Sequence, residues 1–123
     1  MRALVIDDSR AIRGILCKFL RELGFEVYEA GDGKDALSVL HEIRSADLAL
    51  VDWEMPVMNG LEFVRAVRAE RSFDCLRLMM VTTKSEFEDV AQALDAGADE
   101  YVMKPFTKEA IEEKLMLLGV PHV

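Results

Sequence analysis

The sequence predicts an α/β fold: a single doubly wound (βα)5 domain around a five-stranded parallel sheet of order 2-1-3-4-5. Short apolar runs alternate with longer amphipathic segments along all 123 residues, as parallel strands joined by right-handed helical crossovers require. Four of the runs are rich in Val, Leu, Ile or Met and nearly continuous, as strands covered on both faces are. Polar residues collect where the runs end: Asp7, Asp8, Asp52, Thr82, Thr83 and Lys104. The carboxyl edge of an open parallel sheet is where such folds bind ligands. Alternation alone does not prove a strand order. The order 2-1-3-4-5 sets the first strand beside the third, with a topological switch point between them.

Strands are expected near residues 2–7, 25–29, 47–52, 76–81 and 99–103. The second, Phe25-Glu26-Val27-Tyr28-Glu29, alternates apolar and polar residues, which suits an edge. The first helix repeats Ile12, Ile15, Leu16, Phe19, Leu20 and Leu23 on one face and stops at Gly24. The second, near 33–44, takes Asp32 as its cap. The third, near 60–70, opens with Asn59 and carries Glu62 at its third position. The fourth reads Ser85-Glu86-Phe87-Glu88, a capping-box sequence, and ends at Ala96-Gly97. The fifth starts after Thr107 and fades around Leu118-Gly119. No linker or repeat interrupts the pattern, so residues 1–123 read as one domain.

A formal charge of -8 argues against a sequence-independent grip on nucleic acid and for cations or basic protein surfaces. The longest apolar stretches are too short to span a bilayer, and the start lacks a signal-peptide profile, so a cytoplasmic protein is expected. Cys17 and Cys75 have no metal-ligand spacing and read as buried thiols within apolar patterns. Neither His41 nor His122 has a catalytic partner nearby in sequence.

The polar cluster has a definite chemistry if the strands lie as expected. At an effective dielectric of about 20, two carboxylates near 4 Å repel by about 4 kcal/mol. Such a cluster is kept by protonation or by a cation. Mg2+ takes oxygen ligands and often bridges carboxylates to a phosphate. Asp8 and Asp52 suit direct ligation, Asp7 can act through water, and the carbonyl following Trp53 can add an oxygen. Asp52 is the best nucleophile for an aspartyl phosphate, with Lys104 and Thr82 facing the phosphoryl oxygens. Taken singly each residue has a structural reading: Asp8 as a helix cap, Asp52 as a loop residue, Thr82 as a strand residue, Lys104 as a solvated turn lysine, Tyr101 as a core aromatic. Their coincidence at one sheet edge favours the functional reading.

These residues also carry a resemblance. The runs are Val5-Ile6-Asp7-Asp8-Ser9, Val51-Asp52-Trp53-Glu54-Met55-Pro56-Val57-Met58-Asn59-Gly60, Val81-Thr82-Thr83, and Ala96-Gly97-Ala98-Asp99-Glu100-Tyr101-Val102-Met103-Lys104-Pro105-Phe106. From Ala3 to about Leu118 the chain resembles the receiver domains of two-component response regulators, most closely the stand-alone CheY-like chemotaxis type with its flavodoxin-like fold. The resemblance implies that Asp52 accepts a phosphoryl group from a sensor histidine kinase. Asp7, Asp8, Asp52 and the Glu54 backbone carbonyl would hold Mg2+. Lys104 would pair with the phosphoryl group, and its bond to Pro105 would be cis. Thr82 and Tyr101 would form the coupled switch pair, Tyr101 swinging inward, and the face of the fourth helix, fifth strand and fifth helix would bind a target protein. Glu54 and Thr83 stand where the family varies and are expected to tune phosphate lifetime modestly, in either direction.

The chain ends just after the fifth helix, so an output through protein binding is expected rather than an appended effector or enzyme activity, and a monomer is expected because no large exposed apolar stripe is evident. A phosphate sink or relay is the alternative. A Mg2+-dependent phosphohydrolase is less well supported, because Asp7 and Asp8 are adjacent and the candidate nucleophile lies on the third strand. A flavin carrier would want a Ser/Thr/Gly-rich phosphate loop, where this chain has two acids.

Overall fold

The computed structural model describes residues 1–120; His122 lies outside them. In chain order the elements are β1 (Arg2–Ile6), α1 (Arg10–Glu22), β2 (Glu26–Ala30), α2 (Gly33–Ile43), β3 (Leu48–Val51), α3 (Gly60–Arg68), β4 (Arg77–Thr82), α4 (Phe87–Ala96), β5 (Glu100–Met103) and α5 (Lys108–Leu117). The strands pair in parallel in the order β2-β1-β3-β4-β5, as the alternation predicted.

Side chains alternate across the buried strands and so build two cores. Leu4, Ile6, Ala49, Val51, Leu78 and Met80 face one side, where α2, α3 and α4 bring Leu40, Phe63, Val64, Val67 and Ala93. Ala3, Val5, Leu48, Leu50, Met79 and Val81 face the other, against Leu16 and Leu20 of α1 and Ile111 and Leu115 of α5. A large side chain fully buried in this way contributes about 1.5–3 kcal/mol, and Phe63, Leu50 and Met80 are all sealed from solvent. Among the described residues no helix is long and apolar enough to cross a membrane.

Several helix starts follow the sequence signals. Asp32 Oδ1 accepts from the Asp35 N–H at 2.8 Å, and Thr107 Oγ1 from the Ala110 N–H at 3.1 Å. Asn59 and Glu62 form a complete capping box, at 2.8 and 3.0 Å.

Four expectations need correction. The Ser85 capping box does not form: α4 is capped by Glu86, which makes no side-chain cap bond. The preceding segment is claimed by the sheet edge, where the Lys84 carbonyl takes the Tyr101 hydroxyl at 2.7 Å. Phe25 is outside β2 because its N–H closes α1 on the Leu20 carbonyl at 3.0 Å, around Gly24 at φ 96°. Helix α3 ends at Arg68, and a 3-10 turn, Arg71–Phe73, leads towards β4. Cys17 is buried as expected, but Cys75 is exposed. It sits in the turn before β4, while its neighbour Leu76 takes the buried position.

Candidate functional site

Strand register assembles the site. Ile6 lies opposite Val51, Val51 opposite Met80, and Thr82 opposite Met103. The residues immediately following β1, β3 and β5 are Asp7, Asp52 and Lys104, and Thr82 closes β4. All four therefore leave the sheet at one edge. Carboxylate oxygens of Asp7, Asp8 and Asp52 all lie within 4.8 Å of one another.

The loop after β3 is folded tightly against this edge. The Asp52 N–H donates to the Ile6 carbonyl at 2.9 Å, and Asp52 Oδ1 accepts from the Trp53 N–H at 2.8 Å. The Gly60 N–H then closes the loop on the Trp53 carbonyl at 2.8 Å. A side chain at Gly60 would run into the Asp52 carbonyl, so glycine is needed for this close approach. With the Trp53 carbonyl occupied, the Glu54 carbonyl is the next along the loop, and among the described residues it accepts no backbone hydrogen bond. The Glu54 carboxylate points elsewhere, to Lys84 at 3.5 Å.

The charges are uneven. Lys104 Nζ sits 2.9 Å from Asp7 Oδ2 and 3.4 Å from Asp52 Oδ2. Asp7 is buried, and its other carboxylate oxygen accepts from the Ser9 N–H at 2.9 Å. Asp8 is exposed, and among the described residues its carboxylate accepts no hydrogen bond from the protein. Burial, then the neighbouring Asp7 charge, push the Asp52 carboxyl above its usual value, outweighing Lys104, the Trp53 N–H and the Thr82 hydroxyl. Burial disfavours the Lys104 ammonium, but its bond to Asp7 and the charges of Asp52 and Asp7 prevail, and its pKa is raised. A second cation beside Asp52 would relieve the remaining repulsion. Hard oxygen donors with one free carboxylate at the mouth suit a small divalent ion such as Mg2+.

Thr82 is buried beside this cluster, and Thr83 is exposed. Tyr101 is 8% exposed, already turned inward, with burial and the Asp89 and Asp52 charges holding its phenol up to about 12. The Lys104–Pro105 peptide bond is cis. Two residues escaped the sequence reading. Arg13 of α1 donates to the Asp7 carbonyl at 2.7 Å and to Glu29 at 3.0 Å, fixing the backbone of the acidic turn. Lys84 joins both halves of the edge: its N–H donates to Thr82 Oγ1 at 3.4 Å, and its ammonium lies 5.3 Å from the Trp53 ring centroid. A cation two residues past a strand-end threonine is the one signal that could have found Lys84; nothing marked Arg13 among the other helix-face arginines.

Comparison with known proteins agrees with this geometry. The model of the response regulator receiver domain matches residues 3–116. A chemotaxis protein CheY homolog of Campylobacter jejuni is 41% identical over 116 residues, covering 94% of this chain and 89% of the relative. Chemotaxis protein CheY of Pseudomonas aeruginosa is 40% identical over 116 residues, covering 94% of this chain and 93% of its own length. The solved structure of chemotaxis protein CheY4 of Vibrio cholerae is similar, with a TM-score of 0.88 at 34% identity over 94% of this chain and 96% of that one. The family model spans most of the chain and the acidic sheet edge lies within it, so this chain belongs to the response regulator receiver domains, of the CheY-like kind that serve two-component and chemotaxis signalling.

Proposed function

We propose that Asp52 is the phosphoryl acceptor of a Mg2+-dependent binding switch, charged by a sensor histidine kinase in the cytoplasm. The observation that carries this reading is the buried Asp52 carboxylate, raised in pKa, 3.4 Å from Lys104 and grouped with Asp7 and Asp8. Asp7, Asp8, Asp52 and the Glu54 carbonyl are the residues that would hold Mg2+. When bound, the ion neutralises charge on the transferring group.

In the transfer, an Asp52 oxygen forms a P–O bond as the P–N bond of the kinase phosphohistidine breaks, leaving the imidazole with the electron pair. Lys104 offers its ammonium to the phosphoryl oxygens, and the Thr82 hydroxyl offers a hydrogen bond. The product carries about two negative charges at pH 7. Thr82 and Tyr101 relay that change to the face of α4, β5 and α5, where a target protein binds a monomeric receiver. The protein so acts as a self-catalysed phosphoacceptor rather than a turnover enzyme, with Glu54 and Thr83 at the mouth setting phosphate lifetime.

Trp53, the sole tryptophan, adjoins the acceptor and reports directly. Its fluorescence should change on adding Mg2+, and again on adding acetyl phosphate. The second change, and a phosphoryl increment in intact mass, should be absent from Asp52→Asn. A mass increment that persists in Asp52→Asn would remove Asp52 as the acceptor.

A further inference from the structure

Helix α4 carries a feature that the phosphoryl chemistry does not use. A groove of about 530 Å3 runs between α3 and α4, lined by Arg65 on one wall and by Phe87, Glu88, Ala91, Asp95 and Ala96 on the other. No residue of β5 or α5 lines it, so it opens on the α3 side of α4 and adjoins the proposed signalling face only through that helix. Phe87, Ala91 and Asp95 succeed one another at helical spacing of four and form one row. Core-facing Ala93 belongs to a different row, which is why Phe87 remains 83% exposed. A single exposed apolar side chain is ordinary. Here, however, the ring borders a shallow, open surface lined by Ala91 and Ala96, against which a partner side chain can pack.

The charge pattern specifies the occupant. Residues 86–96 hold Glu86, Glu88, Asp89 and Asp95 and no cation. Arg65, Glu88 and Asp95 take part in none of the ion pairs found among the described residues, so their charges face outward for a partner. The α4 wall, with Glu88 and Asp95 against the single cation Arg65 opposite, disfavours nucleic acid and anionic lipid, and the net charge of -8 opposes a second copy of the chain.

We propose that the α3–α4 groove docks a basic amphipathic helix of a partner protein, which seats an aromatic or long aliphatic side chain beside Phe87 and directs Lys or Arg toward Glu88 and Asp95. This is helix-in-groove recognition, with the anchor supplying affinity and the charges supplying register. It does not rest on Asp52 acting as an acceptor.

The test selects phage-displayed helical peptides against the intact chain, and in parallel against Asp52→Asn. Synthetic copies of the recovered peptides are then titrated by fluorescence polarisation. Recovered peptides should carry one large apolar residue within a Lys/Arg-rich face, and should weaken with salt. Phe87→Ser, Ala91→Arg and the pair Glu88→Lys with Asp95→Lys should each lower affinity by about tenfold or more, with melting temperatures confirming that the variants fold. Met103→Glu, at the exposed end of β5, should leave binding unchanged. Recovery of no peptides, of acidic ones, or of peptides that bind all groove variants equally would overturn the proposal. So would a dimer in sedimentation, or binding to phosphatidylserine vesicles, that Phe87→Ser abolishes. Failure of phosphorylation in the Trp53 experiment leaves this outcome untouched, because selection on Asp52→Asn reads the groove alone.

Discussion

Val57 and Cys17 show how single side chains are held at a cost that the surroundings accept. Val57, in the loop that closes over Asp52, has φ 69°, left-handed backbone that a β-branched residue rarely adopts. It is 76% exposed, so no packing compensates for the strain. Val57→Gly or Val57→Asn should stabilise the fold by about 1 kcal/mol, read from urea melts; a loss of stability would mean that the side chain makes an interaction the fold needs. Cys17 is raised to about 11, first by burial and then by the Glu29 charge, so the folded state keeps the thiol proton. The associated stability is fully present below the ordinary thiol value of 9.0 and is lost as pH rises through about 11. At pH 8 a thiol reagent should modify exposed Cys75 rapidly and reach Cys17 only on unfolding. Two fast thiols would contradict the burial.

The two capping sequences make a controlled comparison between helices. Asn59 with Glu62 forms both reciprocal bonds, whereas Ser85 with Glu88 has the same signature and forms no box. Asn59→Ala should therefore cost about 1 kcal/mol, and Ser85→Ala should stay within about 0.5 kcal/mol. Equal losses in thermal melts would show that Ser85 caps α4 in solution. At the opposite end of the sheet, Arg68 ties α3 to its neighbours. Its guanidinium donates to the carbonyls of Gly97, Phe73 and Leu76 at 2.9, 3.1 and 2.8 Å and to Asp99 at 2.9 Å. Asp99 also accepts from the Leu78 N–H at 2.8 Å, which links the loop before β5 to β4. Arg68→Ala strands these partners together and should destabilise the protein by about 2–3 kcal/mol, while leaving the Trp53 response to Mg2+ in place at temperatures where the variant is folded. A lost Mg2+ response in folded Arg68→Ala would instead couple this staple to the acidic edge.

Across the domain, stability and function oppose each other at one place. The raised Asp52 pKa means that the folded state disfavours its charge at neutral pH, a penalty that grows as pH rises from the ordinary carboxyl value through the raised one. Asp52→Asn should consequently melt higher than the wild type without divalent ions. Added Mg2+ should raise the wild-type melting temperature, with about 2.7 kcal/mol gained at one hundred times Kd, and should raise that of Asp52→Asn less. A mutant that melts lower would show that its pairing with Lys104 outweighs repulsion from Asp7. The residues Asp7, Asp8, Asp52, Thr82 and Lys104 were legible in the sequence because strand-end position follows from apolar periodicity, and periodicity is a local property. The same local signal found the parallel strands, the helices between them and the cap at Asn59. It misplaced Ser85 and Phe25, and it passed over Arg13, Lys84 and the groove beside Phe87. Most of those depend on a partner remote in the chain: Tyr101 for the α4 cap, Glu29 for Arg13, Trp53 for Lys84, and Arg65 across from Phe87; Phe25 is the exception, held by the nearby Leu20 carbonyl. The sequence by itself determined which chemistry sits at the sheet edge; tertiary structure decided how that chemistry is oriented and which surfaces remain open, because contacts between distant segments exist only once strand register has been set.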